Sequence, residues 1–198
     1  MVAPSWDQVR SWRVATRKSL IAARMAMPDM ERRAQGQATI ARLSAHFDLA
    51  RHRTLGIYWP IRGEIDVRAT AAALIASGCV IGLPVVVEEA APLEFWRWHP
   101  GMPLRHDRAK IPIPAQRELI APAALLVPLV GFDRNAYRLG YGGGYYDRTL
   151  AAFAEKPLCI GLGYDAAELP SIHPQPHDIP LDAIVTPGLA LTPGPSGA

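Results

Sequence analysis

The chain has 198 residues, 49% of them hydrophobic and 20% charged, with a net charge of +3, a balance that fits one folded domain and excludes general disorder. So small a positive charge does not by itself argue for nucleic acid, though it suits an anionic ligand. Cys79 and Cys159, the only two cysteines, neither frame a secreted disulfide scaffold nor make a zinc site; with no apolar leader and no run near the ~20 apolar residues of a membrane span, the reading is a cytoplasmic protein, off the membrane and with no protein partner evident.

Ser5-Trp6-Asp7-Gln8 has the form of a capping box, which predicts a helix over residues 6–27, stopped by Pro28. On a 3.6-residue period Arg10, Arg13, Arg17 and Arg24 share one side of it. Such a stripe is either a solvated face or a row of forked donors for phosphate oxygens. A second helix is expected over 29–47, with Ile40, Leu43 and Phe47 inward. Residues 54–59 read as a strand ended by Pro60, Ile61-Arg62-Gly63-Glu64 as a turn, and 66–77 as a helix. Glu64 thus follows the carboxyl end of a strand, the edge where open parallel sheets bind ligands. Strands are expected over 79–87 and 93–98. Pro100, Pro103, Pro112, Pro114 and Pro122 then punctuate a long irregular excursion of the kind that covers a site, and Trp96, Trp98 or His99 is placed to stack on a flat ring. His173 and His177 are four apart, but the prolines between them prevent a helical metal pair.

The densest signal follows the apolar run at 125–130. Between Tyr137 and Arg148 stand four glycines in five residues, Gly140, Gly142, Gly143 and Gly144, flanked by arginines and followed by Asp147; Tyr146, Leu150 and Phe153 continue at helical spacing. Strand, glycine loop and helix in that order outline an anion site, because glycines let successive N–H groups turn inward and the helix presents its positive end. A Walker loop would need Lys and Ser or Thr where Tyr145-Tyr146 stand, and the dinucleotide pattern fails at Tyr145. Gly161-Leu162-Gly163-Tyr164-Asp165-Ala166 does match the dinucleotide spacing, but the prolines after it forbid the helix that pattern requires. A strand over 158–164 and a short one over 183–186 complete the order. The alternation argues for an α/β fold: a single domain over 1–187 with a mostly parallel sheet flanked by helices in a Rossmann-like three-layer arrangement, and a flexible tail over 188–198.

Val127-Pro128-Leu129-Val130-Gly131-Phe132-Asp133, followed by Arg138-Leu139-Gly140-Tyr141-Gly142-Gly143-Gly144-Tyr145-Tyr146-Asp147, closely resembles the signature of 5-formyltetrahydrofolate cyclo-ligases, also called methenyltetrahydrofolate synthetases. The likeness extends to the basic pair Arg13 and Arg17, to Glu64-Ile65-Asp66 and to the segment from His177 to Asp182, over about residues 10–187. It implies ATP- and Mg2+-dependent closure of 5-formyltetrahydrofolate to 5,10-methenyltetrahydrofolate through a phosphorylated formyl group, with release of ADP and phosphate. Arg13 and Arg17 then match the nucleotide's basic pair, and residues 138–146 its phosphate loop. Arg138, Tyr145 and Asp147 match the catalytic group, Asp147 and Asp178 the metal ligands, and Trp59, Glu64 and Tyr145 the folate contacts. The site would divide into a folate side at Glu64 and a phosphate side at 140–147.

Three departures from the family pattern stand out. Arg13 replaces the usual lysine. Asn135-Ala136 replaces a usual glycine, so the turn must avoid positive φ or let Asn135 take it. Ile113 stands where a polar Glu or Gln is common. Two other readings remain: an ATP-binding relative with a different substrate, and a nucleic-acid module built on the arginine stripe and tryptophans.

Overall fold

In the computed structural model, which describes residues 5–194, the first helix α1 spans Trp6–Ala26, and Ser5 and Gln8 close its capping box reciprocally. Then follow α2 (Asp29–His46), β1 (Thr54–Gly56), α3 (Arg68–Ala76), β2 (Val80–Val85), β3 (Glu94–Trp98), β4 (Leu104–His106), β5 (Pro112–Pro114) and β6 (Leu119–Ile120). The second half runs β7 (Ala124–Pro128), β8 (Gly131–Phe132), β9 (Arg138–Leu139), α4 (Tyr145–Ala152), β10 (Leu158–Leu162), β11 (Ala183–Val185) and β12 (Ala190–Leu191).

Eight strands form one sheet in the order β12-β11-β10-β7-β1-β2-β3-β6. The five from β11 to β2 are parallel, and antiparallel strands close both edges. Alternation along each strand separates two apolar layers. Leu126 of β7 and Ile160 of β10 pack with Leu43 of α2 and Ala71 and Leu74 of α3. Leu125, Val127 and Cys159 face the other way, toward Leu150 of α4. The chain passes from β1 through α3 to β2 on one face and from β7 through α4 to β10 on the other, so the crossover reverses between the adjacent strands β1 and β7. That reversal opens a crevice at the carboxyl edge, and α1 lies across it.

Several expectations change here. The excursion after β3 is not irregular: β4 and β5 form a hairpin and β6 joins the sheet edge. Ile113 is buried against Val85 and Trp96, so an apolar residue suits the place. Trp96 and Trp98 are themselves core residues and offer no open face for a ring. The tail expected from Gly188 is corrected over its first part, where β12 pairs with β11 and the Gly188 N–H donates to the Asp165 carboxylate at 3.0 Å; residues 195–198 lie outside the described part.

Gly56 shows how tightly the central strand is enclosed. A Cβ there would meet Leu125 Cδ2 at 2.4 Å and Phe95 Cε1 at 2.6 Å, both inside the core. Overpacking of this kind costs about 1–3 kcal/mol. Gly56→Ala is therefore expected to lower unfolding free energy by that amount in urea denaturation followed by circular dichroism.

Candidate functional site

The glycine loop leaves β7 through the β8–β9 hairpin, whose turn is set by one buried acid. Asp133 accepts the N–H groups of Asn135 and Tyr137 on Oδ1 and that of Ile172 on Oδ2. The resulting turn puts Ala136, and not Asn135, in the left-handed region at φ +59°, a correction to the expectation from sequence. Ala136 is fully buried there, so surrounding packing and the Asp133 hydrogen bonds hold a conformation that an L-residue resists.

Beyond β9 the glycines turn back over the end of the sheet. Gly142 at φ +97° and Gly144 at φ +65° need the freedom of glycine, and a Cβ on Gly142 would press on the Arg17 guanidinium at 3.3 Å. Gly144 is the N-cap of α4 and supplies no side-chain cap. The N–H groups of Gly142, Gly143 and Gly144 donate to nothing else among the described residues. Free amides at the positive end of a helix make an anion cradle.

Of the four arginines in the stripe on α1, Arg13, Arg17 and Arg24 line this edge. Arg13 Nε and Nη2 donate to the carbonyls of Ile172 and His173, and Nη2 meets Asp178 Oδ2 at 2.5 Å. Arg17 Nε donates to the Gly140 carbonyl at 2.7 Å, and its terminal nitrogens donate to nothing among the described residues. Burial chiefly, with the nearby charge of Arg13, lowers the Arg17 pKa against the pull of Asp178. Arg24, which sequence reasoning left outside the site, donates to the carbonyls of Arg62 and Leu129 and to the Tyr141 hydroxyl at 2.9, 3.0 and 2.7 Å. Its place in the stripe with Arg13 and Arg17 was the signal. Arg10 is exposed, the solvated residue of the four.

Arg138 is buried and pairs with Asp147 at 3.0 Å. It also donates to the Ile179 carbonyl, whose own N–H donates to Asp147 Oδ1. Asp147 therefore contacts the backbone of the residue that follows Asp178, the other acid expected at a metal. Burial alone would raise the Asp178 carboxyl, but hydrogen bonds from Arg13 and the Gln175 N–H, with Arg13's charge, hold it below the ordinary range. Among the described residues no three His, Cys, Asp or Glu side chains cluster, yet magnesium commonly takes one or two carboxylates and fills its shell with water and phosphate oxygens. Both acids keep unused lone pairs, so the donor set suits that ion. His173 and His177 stand edge-on to Trp12 and Trp6.

On the other side of the crevice, the turn after β1 carries Glu64. Its Oε1 accepts the Tyr141 hydroxyl at 2.8 Å and its Oε2 the Ile61 N–H at 2.9 Å. Burial raises its pKa against the opposing effect of these hydrogen bonds and of Arg24 and Arg62. Glu64 and the glycine loop, far apart in sequence, thus meet at Tyr141. Trp59 lies nearby in sequence, half-buried, edge-on to Trp98 and capped by Arg68 at 4.9 Å. Tyr145 lies under Arg148 at 5.1 Å. The Tyr146 hydroxyl, beneath the same loop, is buried without a partner. A cavity of about 350 Å3 lies away from these residues, between the start of β2 and the end of β3, and contains none of them.

The Arg13–Asp178 pair is nearly closed to water, its side chains 8% and 10% exposed. Removing one partner of such a pair costs about 3–5 kcal/mol, the expected loss for Asp178→Ala in urea denaturation. Because the folded carboxyl titrates below its unfolded value, the wild-type contribution is complete above about pH 4 and is lost as pH falls through the folded value. The variant should lack that acid dependence.

A model of the 5-formyltetrahydrofolate cyclo-ligase family matches residues 9–187. The 5-formyltetrahydrofolate cyclo-ligase of Escherichia coli K12 is 31% identical over 171 residues, covering 83% of this chain and 94% of the relative. That of Mycolicibacterium smegmatis is 31% identical over 179 residues, covering 86% and 91%. Among solved structures, the 5,10-methenyltetrahydrofolate synthetase of Aquifex aeolicus superposes with a TM-score of 0.79 at 26% identity, covering 94% of this chain and 95% of its own. The corresponding protein of Mycoplasma pneumoniae gives 0.73 at 25%, covering 88% and 98%. With the family model matching residues 9–187 and two relatives 31% identical over 83% and 86% of its length, the chain belongs to the 5-formyltetrahydrofolate cyclo-ligase family.

Proposed function

We propose that this protein converts 5-formyltetrahydrofolate and ATP into 5,10-methenyltetrahydrofolate, ADP and phosphate. Family membership supports the reaction. The observation that carries its application to this chain is the joining of an amide-rich, arginine-lined loop to a half-buried carboxylate across one crevice. The formyl oxygen is a poor leaving group. Transfer of the γ-phosphoryl group to it makes a phosphate ester, attack by the neighbouring folate nitrogen closes the ring as that nitrogen gives up its proton to solvent, and the C–O bond breaks with phosphate taking the electron pair. Such chemistry needs positioning and charge neutralisation more than a nucleophilic side chain.

The roles divide by available hydrogen-bonding capacity. Gly142, Gly143 and Gly144 offer free amides to phosphate oxygens, and Arg17 offers its terminal nitrogens. Arg13 and Arg138, already satisfied by carbonyls and by Asp178 and Asp147, hold the cradle's shape and add positive charge. Asp147 and Asp178 would hold magnesium, which when bound neutralises phosphate charge. Glu64, with one lone pair left on each oxygen, would accept the pterin's N–H groups, with Trp59 and Tyr145 beside the folate.

Incubation with ATP, magnesium and 5-formyltetrahydrofolate is expected to yield methenyltetrahydrofolate and ADP in equal amounts, read by absorbance and a coupled ADP assay. ADP without methenyltetrahydrofolate would point to another substrate. A charge-assisted hydrogen bond is worth ~1.5–3 kcal/mol, so Glu64→Gln should lower folate kcat/KM roughly tenfold to a hundredfold while nucleotide affinity changes little. The wild-type pH profile should carry a further mark of Glu64. Its ionised form binds substrate and its pKa is raised by burial, so kcat/KM should fall on the acid side at a pH above the ordinary carboxylate value of about 4.3. Glu64→Gln should remove that limb.

A further inference from the structure

Tyr141 belongs to the glycine loop by sequence, yet its side chain serves the opposite wall. Its hydroxyl donates to Glu64 Oε1 at 2.8 Å and accepts from Arg24 Nη2 at 2.7 Å. Arg24 is fixed independently, since its Nε and Nη1 donate to the carbonyl of Arg62 in the Glu64 turn and to that of Leu129 just past β7. The turn is stiff as well: Arg62 and Gly63 both hold positive φ, at +47° and +74°, and the Glu64 N–H closes on the Ile61 carbonyl at 3.0 Å. Arg62 also lies over the Tyr141 ring at 5.6 Å. The member of this arrangement with donors still unengaged is the loop on which Tyr141 stands, where the N–H groups of Gly142, Gly143 and Gly144 donate to nothing among the described residues.

We infer that Tyr141 is a positioning residue that couples the two halves of the site: its hydroxyl orients the Glu64 carboxylate when the glycine loop is ordered, so nucleotide and folate each favour the other's binding. The inference rests on the proposed function. Phosphate oxygens gathered by the loop amides fix the loop and with it the Tyr141 hydroxyl. Tyr141 then holds one Glu64 oxygen while the Ile61 N–H holds the other, which leaves one lone pair on each for substrate donors. A ligand that engages Glu64 stabilises the same arrangement from the other side, and linkage makes the two effects equal. Couplings of this kind are commonly about fivefold to a hundredfold in affinity.

The test measures 5-formyltetrahydrofolate affinity by calorimetry with and without a non-hydrolysable ATP analogue carrying a methylene β–γ bridge, for the wild type and for Tyr141→Phe. The variant keeps the ring beneath Arg62 and removes only the hydroxyl, and its thermal midpoint verifies that it is folded. In the wild type, the analogue is expected to tighten folate binding at least fivefold, and folate to tighten analogue binding by the same factor. In Tyr141→Phe both factors should fall below about twofold, with folate alone bound severalfold more weakly than by the wild type. A wild type that binds both ligands without mutual effect, or a variant that keeps the wild-type factor, overturns the coupling and leaves the proposed reaction standing. A wild type that binds no 5-formyltetrahydrofolate overturns the proposed function and this inference with it. An unfolded Tyr141→Phe would make the hydroxyl a structural support and likewise overturn its role as a coupling group.

Discussion

A guanidinium taken out of water must find acceptors for its N–H groups, and the first helix brings two such groups, Arg13 and Arg24, into the structure. Of the apolar residues on α1 only Val9 is fully buried, while Val14 and Met25 face solvent. The helix is thus held less by an apolar stripe than by arginines that reach the carbonyls of Arg62, Leu129, Gly140, Ile172 and His173. Those carbonyls belong to four separate loops at the carboxyl edge of the sheet. One helix therefore ties together segments up to 160 residues away in sequence, and the need to satisfy buried charge gives the crevice its shape.

The sheet supplies the other half of the arrangement. Because the crossover reverses between β1 and β7, the turn after β1 and the loop after β7 emerge side by side, though Glu64 and Tyr141 are 77 residues apart. Close packing underneath holds those exits in place: Gly56 of β1 admits no side chain against Leu125 and Phe95, and Gly161 of β10 none against Leu181 and Leu129. Local strain is accepted where the chain must turn sharply at this edge, at Arg62 and at Ala136. In both cases part-buried hydrogen bonds over-determine the backbone, through Arg24 at the first and Asp133 at the second.

Charge is distributed by degree of satisfaction. Arg13, Arg24 and Arg138 are committed to carbonyls and carboxylates, and Arg17 and the loop amides keep free donors. A site in which some cations are fully engaged and others only partly so is rigid where it is built and open where it binds. Asp147 and Asp178 follow the same logic: each holds an arginine, and Asp147 also accepts the N–H of Ile179, the residue after Asp178.

The sequence by itself determined the elements, the parallel character of the sheet, the glycine loop and the family, because helix caps, strand alternation and glycine spacing are local properties written into a few neighbouring residues. The boundaries of β1 and α3, the edge strand β12 inside an expected tail, and the hairpin in the proline-rich excursion were less legible, since pairing with a distant strand decides them. Trp96 and Trp98 have the residue type of ring contacts and Ile113 departs from the family's polar residue, and only burial shows that all three pack in the core. The choice of Ala136 over Asn135 for positive φ depended on Asp133, whose second oxygen is held by Ile172, far along the chain. The partners of Arg24 and the bond from Tyr141 to Glu64 were invisible for the same reason. A hydrogen bond between residues 77 or 117 positions apart leaves no periodic trace in a single chain, and it exists only once the sheet order has brought its two partners to one edge.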